Sequence, residues 1–146
     1  MIAFYAGSFD PFTIGHLAIA EKAMKIFGKI IIGIGYNESK RSEMSVEKRI
    51  DNIKRIFSDN PDVVVLGYEG LTVEAARTHG AEVLVRGLRN ALDFEKEKEL
   101  ADINLEVFGM PTVFIPSPPT LSFVSSSMVR ELSHFGADVS EFIPKI

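Results

Sequence analysis

Five short β-rich runs, Ile2–Ala6, Ile30–Ile34, Val63–Leu66, Val83–Val85 and Thr112–Ile115, are separated along this chain by longer stretches of helical pattern. That rhythm constrains the fold more than any other feature. Strands that alternate with crossover segments pair in parallel, and a parallel sheet needs helices on its faces. The intervening stretches supply them. Leu17, Ala20, Ala23, Met24 and Phe27 recur at helical spacing, as do Val46, Ile50, Ile53 and Ile56 with Phe57. Ser45 is placed to cap the second helix, with Glu47 in the first turn, where negative charge is favoured. A third, longer helix runs from Asn90 to about Phe108 and carries Leu92, Leu100, Ile103, Leu105 and Val107. No internal repeat, low-complexity tract or linker interrupts the pattern, and 146 residues suit one domain spanning 1–146.

The expected architecture is therefore α/β, a Rossmann-like doubly wound five-stranded parallel sheet with helices on both faces. In such sheets ligands bind beyond the carboxyl ends of the strands, where the strand order reverses. The sequence at those ends is distinctive. GSFDPFTIGH follows the first run, GYNESKR the second, GYEGLTVEAA the third, RGLRN the fourth and PSPPTLSFVSSS the fifth. Chance would scatter some of these glycines, paired bases and serines to the opposite rim, so they point to a single composite site.

The first segment reads as strand, glycine turn and helix start. Gly7 ends the strand, Pro11 stops regular hydrogen bonding, Gly15 lets a ligand approach the backbone, and the helix from His16 to about Phe27 aims its free N–H groups at the turn. Neither G-x-x-x-x-G-K-S/T nor G-x-G-x-x-G is present, so the two commonest nucleotide signatures do not account for it. His16 is either a donor to a bound anion or a helix-start histidine satisfied by backbone groups. Arg86 and Arg89 offer planar forks to phosphate oxygens, and Lys40 a mobile point charge. Each of these cations is individually compatible with an ordinary surface role. Together with His16 they suit a polyphosphate. Ser125, Ser126 and Ser127 precede an expected helix start at Met128–Arg130, either as caps or as phosphate ligands at a second helix N-terminus. Glu97 is either an acceptor from a ribose hydroxyl or one charge in the run Asp93, Glu95, Lys96, Glu97, Lys98, Glu99.

Composition narrows the class. A net charge of −4 argues against broad nucleic-acid binding. No apolar run approaches a membrane span, and Met1 leads directly into a strand-like run, so neither membrane insertion nor secretion is expected. The absence of cysteine removes thiolate chemistry and fits a reducing cytoplasm. With no cluster of His or Cys at ligand spacing, no dedicated protein-held metal site is expected.

Thr13, Gly15 and His16 form a T-x-G-H signature, VRGLRN is followed by DFEKE, and LSFVSSSMVRE lies near the C-terminus. On these segments the sequence resembles the bacterial phosphopantetheine adenylyltransferases, a nucleotidyltransferase family of the H/T-x-G-H type, along nearly the whole chain. The resemblance implies transfer of AMP from ATP to 4′-phosphopantetheine, giving dephospho-CoA and pyrophosphate, by in-line attack without a covalent enzyme intermediate. It implies catalytic roles for His16, Lys40 and Arg89, with His16 stabilising the pentavalent phosphorus. On the ATP side it implies Ser8, Phe9, His16, Gly87, Leu88, Arg89, Glu97 and the stretch Leu121, Ser122, Phe123, Val124, Ser125, Ser126 and Ser127. For the phosphopantetheine side it implies Ser8, Lys40, Leu71, Thr72 and Arg86. Mg²⁺ is expected to arrive on the ATP phosphates rather than in a protein cage. A cytoplasmic homo-oligomer, hexameric as the family typically is, is expected, with CoA as a feedback ligand. Another H/T-x-G-H transferase, using CTP with glycerol 3-phosphate or ATP with nicotinamide mononucleotide, and a non-catalytic nucleotide or CoA sensor are the alternatives.

Overall fold

The computed structural model describes residues 1–36 and 43–146. Strands β1 (Ile2–Gly7), β2 (Lys29–Gly35), β3 (Val63–Tyr68), β4 (Val83–Leu88) and β5 (Thr112–Pro116) form one sheet in the order β3-β2-β1-β4-β5. Every pairing is parallel. Each strand contains the β-rich run read for it and extends beyond it, mainly at the carboxyl end. The extension matters most in β4. Arg86, Gly87 and Leu88, expected in a turn, are strand residues paired with Phe114, Ile115 and Pro116. Their own propensities are poor, and the neighbouring strand supplies the conformation.

Helices α1 (Ile14–Phe27), α2 (Val46–Ile56), α3 (Thr72–Thr78), α4 (Ala91–Phe108) and α5 (Ser126–His134) follow the strands in turn. Side chains alternate across the sheet, so each face of the central strand β1 meets a different set of helices. Ala3 and Tyr5, with Ile30, Ile32 and Val85, pack on Ile19, Ala20 and Ala23 of α1 and Ile53 of α2. Phe4 and Ala6, with Ile31 and Leu84, pack on Val73 and Ala76 of α3 and on Met110. The Phe4 ring crosses over β2 so closely that a Cβ on Gly33 would sit 2.2 Å from its Cζ. Glycine there is a packing requirement.

Two helix starts differ from the sequence reading. α1 begins at Ile14 with Thr13 as its cap, which makes His16 the third helical residue. α5 begins at Ser126, capped by Ser125, ahead of the expected Met128. α3 is a further addition, since the sequence names no helix there. Its seven residues are too few to show a period, and its cap, Leu71, makes no side-chain capping bond.

Candidate active site

The chain winds outward from β1 to β3 and then crosses back to β4, so the strand order reverses between β1 and β4. A cleft of about 570 Å³ lies at the carboxyl ends of those two strands, where the topology rule places a ligand. Gly7, Ser8 and Phe9 line it from β1, Thr13, Gly15 and His16 from the opening of α1, and Arg86, Gly87 and Arg89 from β4. Val124, Ser125, Ser126, Ser127 and Arg130 close it from α5. Two helix N-termini thus converge on one space, both directing unpaired N–H groups and positive dipole ends toward it.

His16 is held by a capping box. Thr13 Oγ1 accepts from the His16 N–H at 3.3 Å, and the Thr13 N–H donates to His16 Nδ1 at 2.9 Å. Glutamate or glutamine usually fills the third position of such a box, and histidine does so here. The consequence is a fixed tautomer. A backbone N–H only donates, so Nδ1 is the acceptor and Nε2 carries the proton. Phe9 stands edge-on to the imidazole with ring centroids 5.0 Å apart, and Phe12 lies at 5.4 Å. Burial, and then the charges of Arg86 and Arg89, push the His16 pKa down to about 3. The ring is a neutral donor at physiological pH.

The turn between β1 and α1 is clamped from both sides. Ser126 Oγ donates to the Pro11 carbonyl at 2.7 Å, Arg130 Nη1 to the Asp10 carbonyl at 2.6 Å, and Arg49 Nη1 to the Ser8 carbonyl at 2.6 Å. Asp10 Oδ2 accepts from the Glu43 N–H at 3.0 Å. Within this turn Phe9 takes φ +47°, the one non-glycine residue with positive φ among those described.

A second, narrower pocket of about 180 Å³ adjoins the cleft. Leu71, Val73, Leu84, Leu100 and Ala101 give it apolar walls, while Thr72, Asn104 and Thr112 contribute polar groups. Ala6 and Arg86 line both spaces. Arg86 is held in position there. Its Nε and Nη2 donate to the two Glu97 oxygens at 2.8 and 2.7 Å, and Nη1 donates to the Ala6 carbonyl. This pairing lifts the Arg86 pKa above its ordinary value despite the opposing effect of burial. Arg89 is braced by Asp93 through Nε at 3.1 Å and its backbone N–H at 2.9 Å.

The structure therefore brings together most of the residues singled out in the sequence. Ser8, Phe9, His16, Arg86, Gly87, Arg89 and Val124–Ser127 share the cleft, whereas Leu71, Thr72 and Glu97 line the narrower pocket. Leu88, Leu121, Ser122 and Phe123 line neither. Leu88 ends β4, its carbonyl accepting from Ser117 N–H, and the other three form the rim that leads into Val124. Lys40 lies outside the described residues. Arg130 and Asn104 were missed as site residues. A cation three residues past the serine run that opens α5 was one available signal. A lone amide among the apolar residues of α4 was the other.

Comparison with known proteins follows the same lines. A family model described as cytidylyltransferase-like matches residues 4–132. A phosphopantetheine adenylyltransferase from Porphyromonas gingivalis is 50% identical over 144 residues, covering 99% of this chain and 94% of its own. One from Phocaeicola vulgatus is 43% identical, covering 98% and 95%. This chain belongs to the phosphopantetheine adenylyltransferase family. A solved bifunctional NMN adenylyltransferase/ADP ribose pyrophosphatase from Francisella tularensis superposes with a TM-score of 0.75 at 16% identity, over 99% of this chain and 45% of that protein, and shows the fold alone. Two segments that resemble the phosphopantetheine adenylyltransferases in sequence, VRGLRN with DFEKE and LSFVSSSMVRE, supply the β4–α4 wall and the α5 wall of the cleft.

Proposed function

We infer that this chain transfers AMP from ATP to 4′-phosphopantetheine, forming dephospho-CoA and releasing pyrophosphate. One observation carries the reading beyond family membership: a wide polar cleft and a narrow apolar pocket meet at a single arginine. The cleft has the volume of a nucleotide site. The pocket suits a slender, largely apolar arm, and Arg86 at the junction suits the phosphate that ends it.

In this arrangement an oxygen of the acceptor phosphate attacks the α-phosphorus of ATP in line. A new P–O–P linkage forms as the bond to the β-phosphate breaks, and pyrophosphate leaves. Negative charge accumulates on the non-bridging α-oxygens, and the contacts that strengthen with it accelerate the step. The Nε2–H of His16 is the proposed donor. It does not need to change protonation, which agrees with its depressed pKa. Arg89, Arg130 and the amides opening α1 and α5 serve the phosphates, with Lys40 joining Arg86 on the acceptor by family resemblance. Both Glu97 oxygens engage Arg86 and Glu97 lines the narrow pocket rather than the cleft, so its part is to hold Arg86 in place, and a ribose contact rests on the family resemblance alone. A serine nucleophile is disfavoured: Ser125 Oγ accepts from the Met128 N–H and Ser126 Oγ is bound to Pro11.

The cleft offers hydroxyls, guanidiniums and amides, with no carboxylate among its described lining residues. Mg²⁺ would therefore be held by ATP oxygens and water. We place the enzyme in the cytoplasm. No helix among the described residues is long and apolar enough to cross a membrane. Leu92, Leu100, Ile103, Leu105 and Val107 on α4 are exposed, an apolar surface that other copies would cover in a homo-oligomer, hexameric by resemblance. CoA, which shares both the arm and the nucleotide, is the proposed feedback ligand. The direct test is pyrophosphate release from ATP with 4′-phosphopantetheine, compared with CTP plus glycerol 3-phosphate and ATP plus nicotinamide mononucleotide. Release with the first pair alone is expected. Release only with another pair would reassign the enzyme, and ligand binding with no release in any pair would make it a sensor.

A further inference from the structure

Arg49 has an unusual setting. It lies in the opening turns of α2 and is 5% exposed, and among the described residues no carboxylate pairs with it. Burying a cation is unfavourable, and the positive end of a helix makes it more so. An apolar side chain of similar volume would pack there without either penalty. What the guanidinium has instead is carbonyls. Nε donates to Met44 O at 3.1 Å and Ser45 O at 3.4 Å, and Nη1 donates to Ser8 O at 2.6 Å.

The last of these bonds sets the direction of a peptide. Across a planar trans peptide the C=O of one residue and the N–H of the next point opposite ways. Arg49 does not line the cleft, whereas Ser8 and Phe9 do. With the Ser8 carbonyl drawn toward Arg49, the Phe9 N–H faces away from it. That N–H has no acceptor among the described residues, and the positive φ of Phe9 keeps the peptide in a sparsely populated orientation. The Phe9 ring, wedged among Tyr5, Phe12 and His16, holds the other side of the turn.

We propose that Arg49 is a positioning residue that fixes the Ser8–Phe9 peptide so that the Phe9 N–H serves as a phosphate donor beside His16. Arg49 touches no substrate and acts through Ser8. The proposal rests on the adenylyl-transfer reading, and its test is separable from it. The amide resonance of Phe9 is followed as the full-length protein is titrated with inorganic pyrophosphate. Parent, Arg49→Met and Arg49→Lys are compared, and kcat and KM are measured alongside. In the parent, the Phe9 amide proton moves downfield on binding. Arg49→Met remains folded, loses that response and loses roughly 100-fold in kcat, the scale of one oxyanion-type donor, while KM for 4′-phosphopantetheine stays within about threefold. Arg49→Lys, whose single ammonium cannot serve both α2 and Ser8, gives a partial response. A Phe9 amide that ignores pyrophosphate in the parent, or responds equally in both variants, would overturn the proposal. So would failure of both variants to fold, which would make Arg49 structural. If the parent bound pyrophosphate through Phe9 yet transferred no AMP, the adenylyl-transfer reading would fail and the assignment of Arg49 would stand.

Discussion

Substituting His16 by glutamine and by alanine separates its two tasks. The imidazole closes a capping box through Nδ1 and presents Nε2–H to the cleft. Glutamine is a normal occupant of the third position in such a box, so His16→Gln keeps the cap through Oε1 and replaces the rigid Nε2–H donor by a mobile amide NH2. His16→Ala removes the donor altogether and, of the box, only the Nδ1 acceptor, since Thr13 Oγ1 still accepts from the backbone N–H of residue 16. Loss of the donor is expected to lower kcat by roughly a hundredfold to a thousandfold, equivalent to about 2.7–4 kcal/mol in the transition state. Loss of the Thr13 N–H to Nδ1 bond costs about 1 kcal/mol of stability. The two effects do not mix, because a domain stable by about 5–15 kcal/mol stays almost wholly folded after losing 1. Steady-state pyrophosphate release should therefore fall by that factor in His16→Ala and by less in His16→Gln, while only His16→Ala shifts the urea midpoint clearly. ATP affinity, measured by equilibrium titration, should stay near that of the parent in both. Turnover of His16→Ala within tenfold of the parent would refute the donor role. ATP affinity collapsing in step with kcat would show that His16 is a ground-state binding residue instead.

Three other outcomes follow from the same geometry. His16 stays neutral in the fold down to about pH 3 but takes a proton near its ordinary pKa of 6.5 when unfolded. The unfolded chain therefore binds the extra proton, and this contribution to stability is complete above pH 6.5 and lost as the pH falls toward 3, at up to about 1.4 kcal/mol per pH unit. Urea midpoints between pH 7 and pH 4 should fall less steeply in His16→Gln, and an unchanged slope would contradict the assignment. Ala101→Phe fills the narrow pocket and should raise KM for 4′-phosphopantetheine by about tenfold or more, with ATP affinity held. A matching loss of ATP affinity would show that the two spaces are not separate subsites. Gly33→Ala drives a methyl against the wholly buried ring of Phe4 and should cost about 1–3 kcal/mol by urea titration. A parent-like midpoint would mean that the ring has room to move.

What the sequence made legible was what local chemistry determines. The β-branched runs and helical periods identified all five strands and the long helices, and the topology rule then located the site at the strand ends. α3 escaped because a seven-residue helix with no side-chain cap carries no period. Arg86 and Gly87 escaped as strand residues because β5, not their own propensity, holds them in line. The same limit applies to function. Thr13 and His16 are three apart, so their signature was visible, but the tautomer it fixes required the hydrogen bonds themselves. Arg130 meets Asp10 across 120 residues and Arg49 meets Ser8 across 41. No spacing rule reaches that far, although Arg49 stands near the start of α2, where charge alone would not place it.

The central claim is that this cleft joins the acceptor phosphate directly to the α-phosphorus of ATP. It is tested most directly by supplying 4′-phosphopantetheine with ¹⁸O in its phosphate and reading the products by ³¹P NMR. The label is predicted in the dephospho-CoA diphosphate, including its bridging oxygen, with none in pyrophosphate and no free AMP formed on the way. Label absent from the bridge, or AMP accumulating as an intermediate bound to the enzyme, would contradict the account.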